Sequence, residues 1–126
     1  MRTFLLAAPL VLLSVPAHAM GPNQMPTAEQ REARLEQALD VAKATEDQRS
    51  SIRIFVEDTM PTLEGYHDEG TLLRQEMREV FLEPTVDRSA VEDLRVDAVD
   101  LFDRATSTLL DLFVDIANVL TVEQRS

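Results

Sequence analysis

Asp87 to Ser126 reads DRSAVEDLRVDAVDLFDRATSTLLDLFVDIANVLTVEQRS, and this stretch decides the fold. Between Ser89 and Leu120 it holds neither Pro nor Gly. Its apolar residues Val91, Leu94, Ala98, Leu101, Ala105, Leu109, Leu112, Ile116 and Leu120 recur at spacings of three and four. Only a helix turns those spacings into one face. At 1.5 Å per residue such a helix is roughly 48 Å long, against a radius of gyration of about 13 Å for a compact domain of about 100 residues. The expectation is an elongated protein packed on a long C-terminal helix.

The same helix carries a second apolar zone. With Leu94 as origin and about 100° per residue, the main stripe lies between about −20° and 60°, and Val99, Phe102, Phe113 and Ala117 extend it to about 140°. One neighbouring helix cannot cover a face that wide, so a dimer mate or an apolar client is expected there. Asp93, Asp97, Asp100, Asp111 and Asp115 gather on the opposite flank, with Arg104 the one base among them. Such a charged stripe reads as the solvated face.

Upstream, Thr27-Ala28-Glu29-Gln30 matches a capping box that starts a helix with Leu35, Ala38, Leu39 and Ala42 on one face. After Thr45 the phase shifts to Ile52, Phe55 and Val56, so a bend or a second face is expected at Thr45 to Gln48, again a Thr-x-x-Gln. Met60-Pro61 predicts a helix end, because Pro removes a donor and disfavours a helical residue before it. Thr62 to Gly70 then reads as a loop, and Thr71 as the cap of a further helix carrying Leu72, Leu73, Met77, Val80, Phe81 and Leu82 as far as Pro84. Asp87 or Ser89 caps the final helix. Strand signals are missing, so the fold class is all-α, with three or four helices joined by short turns.

At the N-terminus, Arg2, the apolar run Phe4 to Val15 and Ala17-His18-Ala19 form the pattern of a secretory signal peptide cleaved after Ala19. The domain plan is therefore a signal over residues 1–19, a flexible leader over 20–26 and one helical domain over 27–126. Such export points to the periplasm, and the signal's apolar run is too short for stable membrane insertion. With no cysteine in the chain, stability has to come from helix packing rather than disulfides. The formal net charge of −11 becomes −12 once Arg2 leaves with the signal, which disfavours nucleic acid and anionic lipid as partners.

Little here reads as catalytic. After signal removal one histidine remains, His67, between Tyr66 and the acids Asp68 and Glu69. Without cysteine or a Gly-rich phosphate loop, no nucleophile and base pair can be assembled, so the chain is read as not an enzyme and as needing no cofactor. A minor alternative gives His67, with nearby carboxylates and the leader methionines Met20 and Met25, a Zn, Ni or Cu site in a metal-binding or sensing module. Met77 reads as core.

Two short segments rhyme across the chain. Pro26-Thr27-Ala28-Glu29-Gln30-Arg31 and Leu120-Thr121-Val122-Glu123-Gln124-Arg125 resemble the paired LTxxQ motifs of the Spy/CpxP family, whose relatives include zinc-resistance-associated proteins and periplasmic heavy-metal sensors. Val86 to Val91 resembles the FDxxAV entry to that family's final helix. The resemblance implies a four-helix, cradle-like antiparallel homodimer that binds partly unfolded periplasmic proteins without ATP, or that restrains the periplasmic domain of an envelope-stress sensor kinase. Pro26 stands where the motif has Leu. Thr27, Gln30, Leu120, Thr121 and Gln124 are read as structural caps, and the client or dimer surface as Ile52, Phe55, Val56, Val99, Phe102, Phe113 and Ala117. Arg31, Arg34, Arg49, Arg53, Arg74 and Arg78 are the candidates for a basic patch.

Overall fold

Three helices make up the structure, a computed structural model that describes residues 25–126: α1 (Ala28–Val41), α2 (Glu46–Phe81) and α3 (Arg88–Val119). The signal peptide expected over residues 1–19 and most of the leader expected over 20–26 lie outside the described residues. Among the described residues there is no strand, and no helix is long and apolar enough to cross a membrane.

Each helix starts where its capping chemistry dictates. At α1 the Gln30 amide donates to the Thr27 hydroxyl at 3.2 Å, and the Thr27 amide donates to Gln30 Oε1 at 3.0 Å. Two of the four orphan amides of a helix start are thereby satisfied. At α3 the cap is Asp87, whose carboxylate accepts from the Ser89 amide at 2.9 Å.

The largest departure from the sequence reading is α2. A break at Met60-Pro61, a loop over Thr62 to Gly70 and a new cap at Thr71 are all overruled, because α2 runs unbroken from Glu46 to Phe81 with Pro61 inside it. An interior Pro costs about 3 kcal/mol. Against that, Phe55, Thr59, Leu63, Tyr66, Leu73, Met77 and Val80 keep helical spacing across the Pro and are all half-buried. Half-burying a large apolar side chain contributes on the order of 1 kcal/mol, so the row outweighs the break. Thr71, expected as a cap, instead donates its hydroxyl to the His67 carbonyl one turn back at 3.1 Å, as a mid-helix threonine does. The fourth helix is thus absorbed into α2.

The chain divides into two compact units, one comprising Asp115–Ser126 with the chain up to Ile54, the other Phe55–Val114. In the first, Leu35, Leu39, Ala44 and Ile52 are buried. Carboxylates of α1 meet arginines of α2: Arg49 bonds Glu36 at 3.1 Å and Asp40 at 2.8 Å, while Arg53 pairs with Glu36 and, at 3.4 Å, with Glu32. The hydrogen bond that Arg49 donates to Asp40 raises the Arg49 pKa, and the one that Arg53 donates to Glu36 raises the Arg53 pKa.

In the second unit the α2 and α3 segments run antiparallel through the turn at 82–87. Only Leu94 and Leu112 are buried there. Arg104 ties the pair together, donating to Glu69 at 2.5 and 3.1 Å and to Asp100 at 2.8 Å while lying over the Tyr66 ring at 5.3 Å. The Glu69 and Asp100 carboxylates hold it firmly charged by raising its pKa. The base placed on the solvated acidic flank by the sequence is the crosslink of this unit.

Candidate functional site

The first unit closes on a pair of glutamines. α1 ends with Lys43 in the left-handed region at φ 53°; the Lys43 amide donates to the Asp40 carbonyl at 3.1 Å and the Ala44 amide to the Leu39 carbonyl at 3.0 Å. This is the Schellman termination, with Leu39 and Ala44 supplying its buried apolar contact. The chain then re-enters a helix through a second capping box, Thr45 with Gln48, and leaves α3 through a third, Thr121 with Gln124.

Gln48 and Gln124 face each other. Each Nε2 donates to the other's Oε1 at 2.9 Å. Gln48 Nε2 also donates to the Val119 carbonyl at 3.0 Å, and Gln124 Nε2 to the Lys43 carbonyl at 3.2 Å. Each carbonyl lies two residues before the opposite box's threonine, so the arrangement repeats itself by an approximate two-fold. Each amide returns its oxygen to its own threonine amide, leaving every donor and acceptor of both side chains engaged.

The second unit presents an apolar groove of about 450 Å³ lined by Tyr66, His67, Gly70, Leu73, Arg74, Met77, Leu94, Ala98, Leu101, Phe102 and Ala105. No carboxylate lines it, although the chain has 23 acidic residues. A separate cleft of about 330 Å³ takes the acids instead, with Glu69, Glu76, Asp97 and Asp100 around Leu72 and Leu73. Leu72 in the cleft and Phe102 in the groove are exposed, as are Val96, Val99, Leu110 and Val114 along α3. Two antiparallel helical segments give each other one neighbour, and the apolar width of α3 exceeds what one neighbour covers.

No family model, curated protein or solved structure matches the chain.

The proposed surface residues separate clearly. Val99 and Phe102 are exposed, at 56% and 71%, while Phe55, Val56 and Phe113 of the same unit are half-buried, as is Ala117 of the first unit. Ile52 is removed from the surface set, since it is 0% exposed and belongs to the core of the first unit. Its phase shift from Leu35 reflects the start of a new helix, not a second outward face. His67 lies in α2, not in a loop, and lines the groove. Among the described residues no three His, Cys, Asp or Glu side chains group as a metal site.

All five cap residues are placed in capping geometry or beside it, but the partner of Thr121-Gln124 is Thr45-Gln48 rather than Thr27-Gln30. The signal was in the sequence: Ala44-Thr45-Glu46-Asp47-Gln48 is a Thr-x-x-Gln with a small apolar residue, now buried, in the Leu position. Sequence reading also missed Arg74 as a groove residue, because the loop expected before Thr71 hid the row Tyr66, Gly70, Leu73, Met77.

Proposed function

We propose that this chain is an ATP-independent periplasmic chaperone or envelope-stress adaptor of the Spy/CpxP kind, acting as a homodimer and holding partly unfolded proteins on an apolar helical surface. The observation that carries this reading is the second unit: two helical segments with two buried residues between them and with Leu72, Val99, Phe102, Leu110 and Val114 left to solvent. Val99, Phe102, Leu110 and Val114 share one face of α3 at about 100° per residue, and an exposed apolar face of this kind marks a surface that binds something. The glutamine junction supports the family reading, since paired Thr-x-x-Gln segments close the first unit on each other.

Holding then works by covering apolar client surface at about 25 cal/mol per Å², spread over many weak contacts that fit many sequences. A second copy covers the part of the surface that clients leave. The adaptor function uses the same surface toward the periplasmic domain of a sensor kinase. The test is suppression of chemically reduced insulin's aggregation by the mature chain at near-equimolar ratio. Light scattering should fall strongly; scattering unchanged from the insulin control would end this reading.

A further inference from the structure

α2 carries one short pattern twice, Arg-x-x-apolar-Arg, as Arg49-Ser50-Ser51-Ile52-Arg53 and as Arg74-Gln75-Glu76-Met77-Arg78. The first copy is answered within the chain. Glu36 of α1 takes both arginines, Asp40 takes Arg49 and Glu32 takes Arg53, while Leu35 and Leu39 from the same helix are buried, as is Ile52. What this copy accepts is therefore on view: a helix with carboxylates four residues apart and leucines four residues apart beside them.

The second copy has no such answer among the described residues. Arg74 donates to its neighbour Thr71 at 3.1 Å, Arg78 makes no side-chain bond, and both are exposed. No Asp or Glu stands three or four residues from either arginine along α2, so the helix offers them no pairing of its own in a chain with 23 acids. The two guanidiniums sit four apart, where like charges repel. Met77 between them lines the groove with Leu73, Leu94 and Phe102.

We propose that this groove is a docking site for an acidic amphipathic helix of a client or partner protein, with its aliphatic residues in the groove and carboxylates spaced four apart on Arg74 and Arg78. The proposal rests on the client-binding reading above and names the class of segment that the surface selects. Charge complementarity carries it, and α1 on Arg49 and Arg53 is its template. A second copy's α1 is the poorer occupant, because its carboxylates are already engaged with its own arginines.

The probe is a labelled, end-blocked peptide of residues 27–42, TAEQREARLEQALDVA, titrated by fluorescence anisotropy into the mature chain. Saturable binding that weakens with salt is expected. Arg74→Glu with Arg78→Glu should weaken it about tenfold or more, and a peptide with Glu32, Glu36 and Asp40 changed to Lys should prefer that variant to the wild type. Both arginines are exposed, so circular dichroism should show an unchanged fold; Arg74→Gln with Arg78→Gln serves if charge reversal unfolds the chain. Absent binding, or binding that neither variant weakens, overturns the proposal. Sedimentation showing self-association that the variants abolish gives the groove to a second copy and overturns it too. Insulin holding, measured on the same samples, separates these failures from failure of the chaperone reading.

Discussion

Replacing Gln48 and Gln124 by alanine, singly and together, tests the junction of the first unit quantitatively. Each glutamine makes two hydrogen bonds to the other at 2.9 Å, one to the carbonyl before the opposite box and one with its own threonine amide. At about 1 kcal/mol net per bond, each single change should cost roughly 2–4 kcal/mol. The two bonds they share appear in both singles, so the double variant should cost less than the sum by about 1–2 kcal/mol. Gln30→Ala is the internal control. Its side chain serves only the capping box at the start of α1, so about 0.5–1 kcal/mol is expected. Urea unfolding followed by far-UV circular dichroism gives the four costs and, from three of them, the coupling. A coupling within about 0.3 kcal/mol of zero, or a Gln30→Ala cost equal to that of Gln48→Ala, would refute the reciprocal junction.

Lys43→Gly should stabilise the chain by about 1 kcal/mol, because a side chain at φ 53° pays a steric cost that glycine avoids; a lower unfolding midpoint would show that the lysine side chain does more than end α1. Gly65 is exposed in the middle of α2 with nothing within 4 Å of an added Cβ, so Gly65→Ala should raise stability by about 1 kcal/mol in the same urea assay. If Thr62 to Gly70 were a loop, that gain would vanish. The hydrogen bond from Arg95 lowers the Glu92 pKa. The pair's contribution is therefore present above the ordinary glutamate pKa and lost as pH falls through the lowered one. NMR titration should place Glu92 below an ordinary glutamate, and Arg95→Gln should return it there.

The all-helical fold was legible because α3 has neither Pro nor Gly and keeps its spacing over nine turns, a signal that no local rule contradicts. The start of α1 was legible for a similar reason, since a capping box is decided by residues three apart. α2 was misread where a local rule met a tertiary one. Pro61, Gly65 and Gly70 each argue against helix by propensity, and only the half-burial of Tyr66, Leu73 and Met77 against α3 overrides them. That packing is invisible until the partner helix is placed. The pairing of Gln48 with Gln124 joins residues 76 positions apart, and three Thr-x-x-Gln segments in one chain leave the choice of pair open. Val99 and Phe102 were found on α3 because exposure follows from a face too wide for one neighbour. Ile52 was misassigned because its shift in phase marked a new helix, and Arg74, named as a candidate for a basic patch, was not placed in the groove because Tyr66 and Gly70, which line it too, were expected in a loop.

The central claim is that exposed apolar residues of the second unit hold clients. The most direct test is reduced-insulin aggregation with Val99→Asp and Phe102→Asp together in the mature chain. Both side chains are mostly exposed, so the variant should keep its helicity and unfolding midpoint. Holding should nevertheless be largely lost while the wild type suppresses scattering at near-equimolar ratio. A folded variant that holds insulin as well as the wild type would contradict the account.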